Sequence, residues 1–449
     1  MSNGRLTVTR DKLGVKPLYW AEVDGKKVFV ENVNELFERK GVPRRLRKEL
    51  LGEYFAQGWI CEPDTIWVGV YKVPTGGWQG ECGSLPLEDA IRASVREACR
   101  GKVCNLFSGG IDSSLIAAYA RDEGLEHLHI TLGDRESERV VAMEKAFRLN
   151  VTRFAPPKNL VKEYPRLVRA VGEPIADPGI ISCWWMGTEA KARGYEAIIS
   201  GMGGDEIDAG YPRNRIVAKL FGCWPVRIFG TWMLKPFGWM MMVGSGLLHG
   251  KRRRDMRRLG SFLKHPDPSH YFNLFGYFTK EEIDQIAGGD WFSTYDKKVR
   301  RLTADEKGVK RFFAYEYKGF LASHNNLYGA LSSRIAGVEC RMPLLKPEIA
   351  AMLYPDIEKN AGKKRLTALL KKELGPIWAE VKKSGFRFPI ENCLRNVPWD
   401  DVRQKVQAMG VSETGLKLFD GYVSQLFAGN VDEVYMKLWA FYTLALLEC

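Results

Sequence analysis

Ser108, Gly109, Gly110, Asp112, Ser113 and Ser114 crowd into one short stretch, and together they have the composition of a phosphate cradle. Two glycines let backbone N–H groups approach an anion closely, and three hydroxyls offer further donors. A helix N-terminus behind them would add its partial positive charge. Asp112 adds a hard oxygen, the ligand that a phosphate-bound Mg²⁺ takes. A second glycine-rich stretch, Ser200-Gly201-Met202-Gly203-Gly204-Asp205-Glu206-Ile207-Asp208-Ala209-Gly210-Tyr211, brings Asp205 and Glu206. Asp112 and Asp205 with triphosphate oxygens suit Mg²⁺, which keeps few protein ligands. No Gly-x4-Gly-Lys-Ser/Thr occurs, so this is not a Walker loop.

Both stretches need strands to aim them. The apolar run 103–107 reads as a buried strand, and a helix is expected from Leu115 onward. Around them the pattern predicts helices over 87–100, 137–149, 160–171 and 181–193. Strands are predicted over 125–132 and 197–200, with an edge strand near 151–154. Strands alternating with helices imply an α/β fold with a mostly parallel sheet, whose ligands sit beyond the carboxyl ends of the strands. Ser108, Gly133 and Ser200 each follow a strand, so they should meet in one crevice. His127 and His129 alternate along one strand and read as satisfied strand residues.

A chain of 449 residues can hold two or three domains, each with its own core, and 45% hydrophobic with 27% charged residues is ordinary globular composition. Nine cysteines without a Cys-x2-Cys pair suggest reduced, structural thiols. No short apolar leader opens the sequence, so the expected location is cytoplasmic. The net charge of +13 is partly local: six cations fall within 251–258. A solvated helix face is the simpler reading, and contact with a polyanion (tRNA or anionic lipid) is the other. Just before it, 220–248 is rich in Trp and Met. Its uninterrupted part, 237–248, is too short to cross a bilayer. Two buried or partner-facing helices are expected there, with an interfacial membrane anchor as the alternative.

The loop at 108–114 resembles the Ser-Gly-Gly-x-Asp-Ser-Ser loop of the ATP pyrophosphatases. The resemblance sharpens with Ser-Gly-x-Gly-x-Asp-Glu-x-x-x-Gly-Tyr, Glu173-Pro174 with Asp177-Pro178, Val338-Glu339-Cys340-Arg341-Met342-Pro343-Leu344-Leu345, and Lys382-Lys383-Ser384-Gly385-Phe386-Arg387-Phe388-Pro389. In their order along the chain they are similar to the signatures of the asparagine synthetase family. The resemblance implies a parallel-sheet ATP-pyrophosphatase domain over 81–449 with a helical C-terminal part. Residues 212–300 would be a helical insertion. Thr9-Arg10-Asp11-Lys12-Leu13-Gly14 and Pro74-Thr75-Gly76-Gly77-Trp78 resemble the second half of the family's glutaminase domain, making 1–80 a small β-rich remnant.

The family's chemistry, carried over, needs ATP and Mg. Ser108, Gly109, Gly110, Asp112, Ser113 and Ser114 would cradle pyrophosphate, with Asp112 and Asp205 on the metal. Leu132, Gly133, Ser200 and Gly201 would line the adenosine and α-phosphate region. Asp205, Glu206 and Lys383 would be catalytic, Lys383 stabilising charge that develops at phosphorus. A carboxylate attacks the α-phosphorus, and nitrogen then displaces AMP.

Three departures matter. The family's glutaminase nucleophile is an N-terminal cysteine, whereas Met1 is followed here by Ser2-Asn3-Gly4 and the first cysteine is Cys61. An inactive glutaminase region is expected, with ammonia from a separate glutaminase. Met202 stands where asparagine synthetases carry a glutamate that helps ammonia attack. Tyr328-Gly329-Ala330-Leu331 replaces a stretch that shapes the acceptor pocket. The substrate is therefore read only as a small-molecule or peptide carboxylate. Plain ammonia-dependent asparagine synthesis, a ring-closing cyclase and a non-catalytic relative are the alternatives.

Overall fold

The computed structural model describes residues 8–76, 83–131, 138–156, 160–248, 250–375 and 390–447. Leu132, Gly133 and Lys383 lie outside the described residues, as do Ser2 and the 382–389 motif. An antiparallel sheet near the N-terminus is ordered β2-β1-β3, with β1 Tyr19–Val23, β2 Lys26–Val30 and β3 Val70–Lys72. The main sheet is wholly parallel, ordered β6-β5-β4-β7-β8. Its strands are β4 Val103–Leu106, β5 Glu126–Ile130, β6 Asn150–Phe154, β7 Ala197–Ile199 and β8 Glu339–Arg341.

β4 and β7 are short and apolar because helices cover both faces of a parallel sheet, leaving no solvated side to alternate toward. They pair in register Val103↔Ala197 and Asn105↔Ile199. From β4 the chain proceeds outward through β5 to the edge strand β6, and β7 and β8 lie on the opposite side. The order therefore reverses between β4 and β7, which puts the ligand crevice at their carboxyl ends. Ser108 and Ser200 leave the sheet there.

Two sequence expectations are corrected. The helix after β4 spans Ile111–Tyr119, so Asp112, Ser113 and Ser114 form its first turn rather than a loop. Gly110 is its N-cap in extended conformation, and Asp112 gains from the positive helix end. The apolar pattern begins later than the hydrogen-bonded turn, which is why it points to Leu115. The 220–248 region forms helices Trp224–Phe229 and Leu234–Gly244, and of the two readings, buried or partner-facing, it is burial that fails. Most of their large apolar side chains face solvent. β8 has no sequence signal of its own, being three residues with charges at both ends.

The N-terminal sheet shares one core with the helices of the C-terminal half. Tyr54 donates to the carbonyl of Ala440 at 2.7 Å, and Trp67 Nε1 donates to Gly172 O at 2.7 Å. Arg10, from the Thr-Arg-Asp-Lys motif, is buried against Glu62 at 3.2 Å and donates to Ala322 O at 3.1 Å. Among the described residues no helix is long and apolar enough to cross a membrane.

Candidate active site

The loop after β4 turns at Gly109, whose φ of +69° lies in the left-handed region; a Cβ there would also stand 2.9 Å from Val140 Cγ2. The hydroxyls of Ser108 and Ser113 lie 3.0 Å apart, and Ser108 Oγ accepts from Gly110 N–H at 3.3 Å. The Ser200 loop presses directly on this helix start. A Cβ on Gly201 would come within 2.9 Å of Ser113 N, so only glycine admits the contact. Ser114 is fully buried and takes no part in the cavity wall, unlike Ser108, Gly110, Asp112, Ser113, Ser200 and Gly201.

Between the two loops stands a residue that the sequence did not announce. Lys363 Nζ is ion-paired with Asp112 Oδ2 and lies 2.7 Å from Asp205 Oδ1. Its side chain is 5% exposed. Burial pulls its ammonium down, but the two carboxylates more than offset this and hold it above the ordinary lysine value. The turn carrying it is strapped to the Asp205 loop. Lys363 N–H donates to Asp208 O at 3.0 Å, and Gly362 N–H donates to Ala209 O at 2.7 Å. Asp208 Oδ2 in turn accepts from Leu366 N–H at 2.9 Å. Burial pushes the Asp208 carboxyl up to about 6. Asn-Ala-Gly-Lys-Lys-Arg reads in sequence as the basic start of the helix Lys364–Leu374, and nothing in it marks which cation turns inward.

Glu206 is buried beside Asp205, and burial with that neighbouring carboxylate pushes it up to about 8. Its Oε1 accepts from Tyr211 at 2.5 Å and from Asn325 Nδ2 at 2.7 Å. Among the described residues its Oε2 has no hydrogen-bond partner, and Glu206 belongs to the cavity wall. Tyr211 is fixed by Arg213, whose guanidinium stacks 3.8 Å from the ring centroid and grips Glu316 bidentately at 2.7 and 2.8 Å. Asn325 comes from the wide-turned helix Glu316–Asn325, an irregular winding of the kind found at functional sites.

The cavity so enclosed measures about 340 Å³. Its wall also includes Met202, Cys183, Met186 and Tyr328. His129 lines it with Nδ1 2.8 Å from Phe107 O, and His127 Nδ1 lies 3.1 Å from Asn105 Nδ2. Among the described residues no group of three or more His, Cys, Asp or Glu could hold a metal. Asp112 and Asp205 are thus a pair, converging closely enough for one ammonium to reach both. That donor set fits magnesium, which completes its shell with water and phosphate oxygens.

A profile of the Asparagine synthase family matches residues 86–447. The chain belongs to the asparagine synthase family. Residues 1–84 match the profile described as a glutamine amidotransferase domain. The chain is 29% identical over 234 residues to asparagine synthetase [glutamine-hydrolyzing] 1 of Bacillus subtilis, covering 45% of this chain and 37% of that one. It is 24% identical over 445 residues to the putative asparagine synthetase [glutamine-hydrolyzing] of Mycobacterium bovis, covering 87% of this chain and 66% of that one. The same figures hold for the Mycobacterium tuberculosis protein of that name. The chain thus spans less than two thirds of the length of these family members. The family is one of asparagine synthetase-like ligases.

Proposed function

We propose that this chain uses ATP and Mg to adenylate a carboxylate and form an amide with ammonia or an amine, and that its own residues do not release ammonia from glutamine. One observation carries the reading: Asp112 and Asp205, from the first helical turns after two adjacent parallel strands, are held together by buried Lys363 at the glycine-lined cavity.

The substrate carboxylate oxygen attacks the α-phosphorus, the bond to pyrophosphate breaks, and an acyl-adenylate forms. Nitrogen then attacks the acyl carbon and AMP leaves. Ser108, Gly110 and Ser113 bind phosphate oxygens through N–H and O–H donors. Lys363 fixes both carboxylates and keeps a positive charge beside the phosphates. Asp112 and Asp205 would hold magnesium, which when bound neutralises phosphate charge. In its ionised form, reached as pH approaches about 8, Glu206 takes the proton of the attacking nitrogen through Oε2, a task Met202 cannot perform. Lys383 stabilises the charge developing at phosphorus, and Leu132, Gly133, Ser200 and Gly201 line the adenosine side, as the family resemblance implies.

Cys61, the one cysteine in 8–76, is buried and its thiol is pushed up to about 12 by burial. That supports nitrogen arriving from another source, such as a separate glutaminase. Met202, Met186, Cys183 and Tyr328 favour a carboxylate less polar than aspartate, from a small molecule or a peptide. The test is ATP–pyrophosphate exchange across a panel of carboxylates. Asp112→Ala should abolish it, and exchange equal to that of the parent would refute the site.

A further inference from the structure

The stretch between Asp208 and Asp255 contains no Asp or Glu, yet carries Arg213, Arg215, Lys219, Arg227, Lys235 and the run from Lys251 to Arg254. Its helices expose apolar side chains where a globular protein exposes polar ones. Trp224, Ile228, Trp232, Phe237, Val243 and Leu247 all face solvent, with Val243 at 76% and Leu247 at 85%. On Leu234–Gly244 the apolar residues Phe237, Met240 and Val243 point outward while Leu234 and Gly238 point inward. The hydrophobic side of this helix is therefore turned to water. An apolar patch of this extent marks a binding surface.

Packing fixes that orientation. Gly238 meets Gly260 of the antiparallel helix Gly250–Lys264, and a Cβ on Gly238 would lie 2.7 Å from Gly260 O. Arg254 donates to Asp432 O at 2.9 Å, and Arg258 donates to Gly276 O. These two arginines of the basic run anchor the hairpin to the body. Arg252 and Arg253 remain exposed, as do Arg227 and Lys235. The ammonium of Lys264 sits 4.4 Å from the centroid of Trp239, at the border of the apolar and cationic surfaces.

We propose that this hairpin is a peripheral docking face for an anionic lipid bilayer, with Trp, Phe, Val and Leu entering the interface and the exposed arginines meeting lipid phosphates. Indole rings and aliphatic chains beside Lys and Arg are the composition of an interfacial helix. Charge decides against a second copy: a two-fold contact sets the patch against itself, and no acidic residue in the stretch offsets the facing cations. Exposed Val243 and Leu247 have no use in nucleic-acid binding, where stacking rings and cations suffice. The helices are too short to span, so the chain lies on the surface.

The experiment is co-sedimentation of the full chain with vesicles of phosphatidylcholine, with and without phosphatidylglycerol, alongside tryptophan emission. Binding to the anionic vesicles with a blue shift is expected. Trp232→Ser, Val243→Ser and Leu247→Ser together should remove at least tenfold of that binding, while melting temperature and ATP–pyrophosphate exchange stay at parental values. Arg252→Gln and Arg253→Gln should each weaken it roughly fivefold. The proposal fails if the parent stays in the supernatant, or if the triple variant binds anionic vesicles as well as the parent. It fails equally if the parent is a dimer that the triple variant splits, with no vesicle binding by either.

Discussion

Met202 packs on Gly329: a Cβ built on that glycine would lie 2.7 Å from both the sulfur and the terminal methyl of the methionine. Two of the three places where the sequence departs from the asparagine synthetase signatures, Met202 and the 328–331 stretch, therefore meet in one contact. A side chain at 329 would displace Met202, so the glycine makes room for the thioether.

It follows that Met202→Glu alone should not create asparagine synthesis. The new carboxylate would stand against the Gly329 backbone and beside Met342, whose terminal methyl lies 3.0 Å from the same Cβ position. Little or no asparagine should form from aspartate, ammonia and Mg·ATP with either the parent or this variant. Amino-acid analysis with AMP release measures it, and steady asparagine formation by the parent would return the chain to ordinary ammonia-dependent synthesis.

Lys363→Met should abolish adenylation and unsettle the fold. Removing the ammonium leaves Asp112 and Asp205 converging without a shared cation, and breaking a buried pair costs roughly 3–5 kcal/mol. Asp205 is 31% exposed, so the lower end of that range is expected. Magnesium should then raise the melting temperature of the variant more than that of the parent, because the metal replaces the missing charge. Equal magnesium shifts would show that the two carboxylates do not share a cation site.

Glu206 and Asp208 give the metal-free protein a stability that is lost as pH rises, opposed between pH ~4 and ~6.5 by His127 and His270, which burial pushes down to about 4. Glu206 moves from an ordinary 4.5 to about 8, and Asp208 from 3.8 to about 6. Between those limits the two carboxyls retain protons in the folded chain that the unfolded chain has released, so their share of the free energy of unfolding falls with pH. The stability is intact below the ordinary carboxyl values and is lost as pH climbs through the raised ones. Melting curves from pH ~4 to ~8 check the sign. The parent should lose stability relative to Glu206→Gln as pH rises, and a difference between the two proteins that does not change with pH would contradict the raised Glu206 value.

Periodicity and turn residues carried most of the parallel sheet into view, since β4 and β7 are largely apolar runs bounded by glycine or charge and β5 alternates His127 and His129 with Leu128 and Ile130. The two ligand loops were legible for the same reason: their composition has few structural uses. Lys363 was not, because its burial depends on two carboxylates from distant segments and on backbone bonds to Asp208 and Ala209. The outward face of Leu234–Gly244 was also hidden. Its apolar pattern is that of a buried helix, and only the Gly238–Gly260 contact shows which side turns inward.

Lys383 gives the sharpest kinetic test, and it rests on the sequence motif alone. A cation that acts on charge developing at phosphorus contributes to the transition state and little to ground-state binding. Lys383→Ala should therefore cut turnover roughly 10²–10³-fold, the usual loss for one electrostatic donor, and leave ATP affinity close to that of the parent. Asp112→Ala should behave differently, weakening Mg·ATP binding itself, because its carboxylate lies in the cavity wall beside Lys363. Equilibrium binding of ATP and single-turnover formation of AMP, measured on both variants, separate the two roles. A Lys383→Ala protein that binds ATP poorly but turns over bound ATP at the parental rate would move this lysine from catalysis to binding.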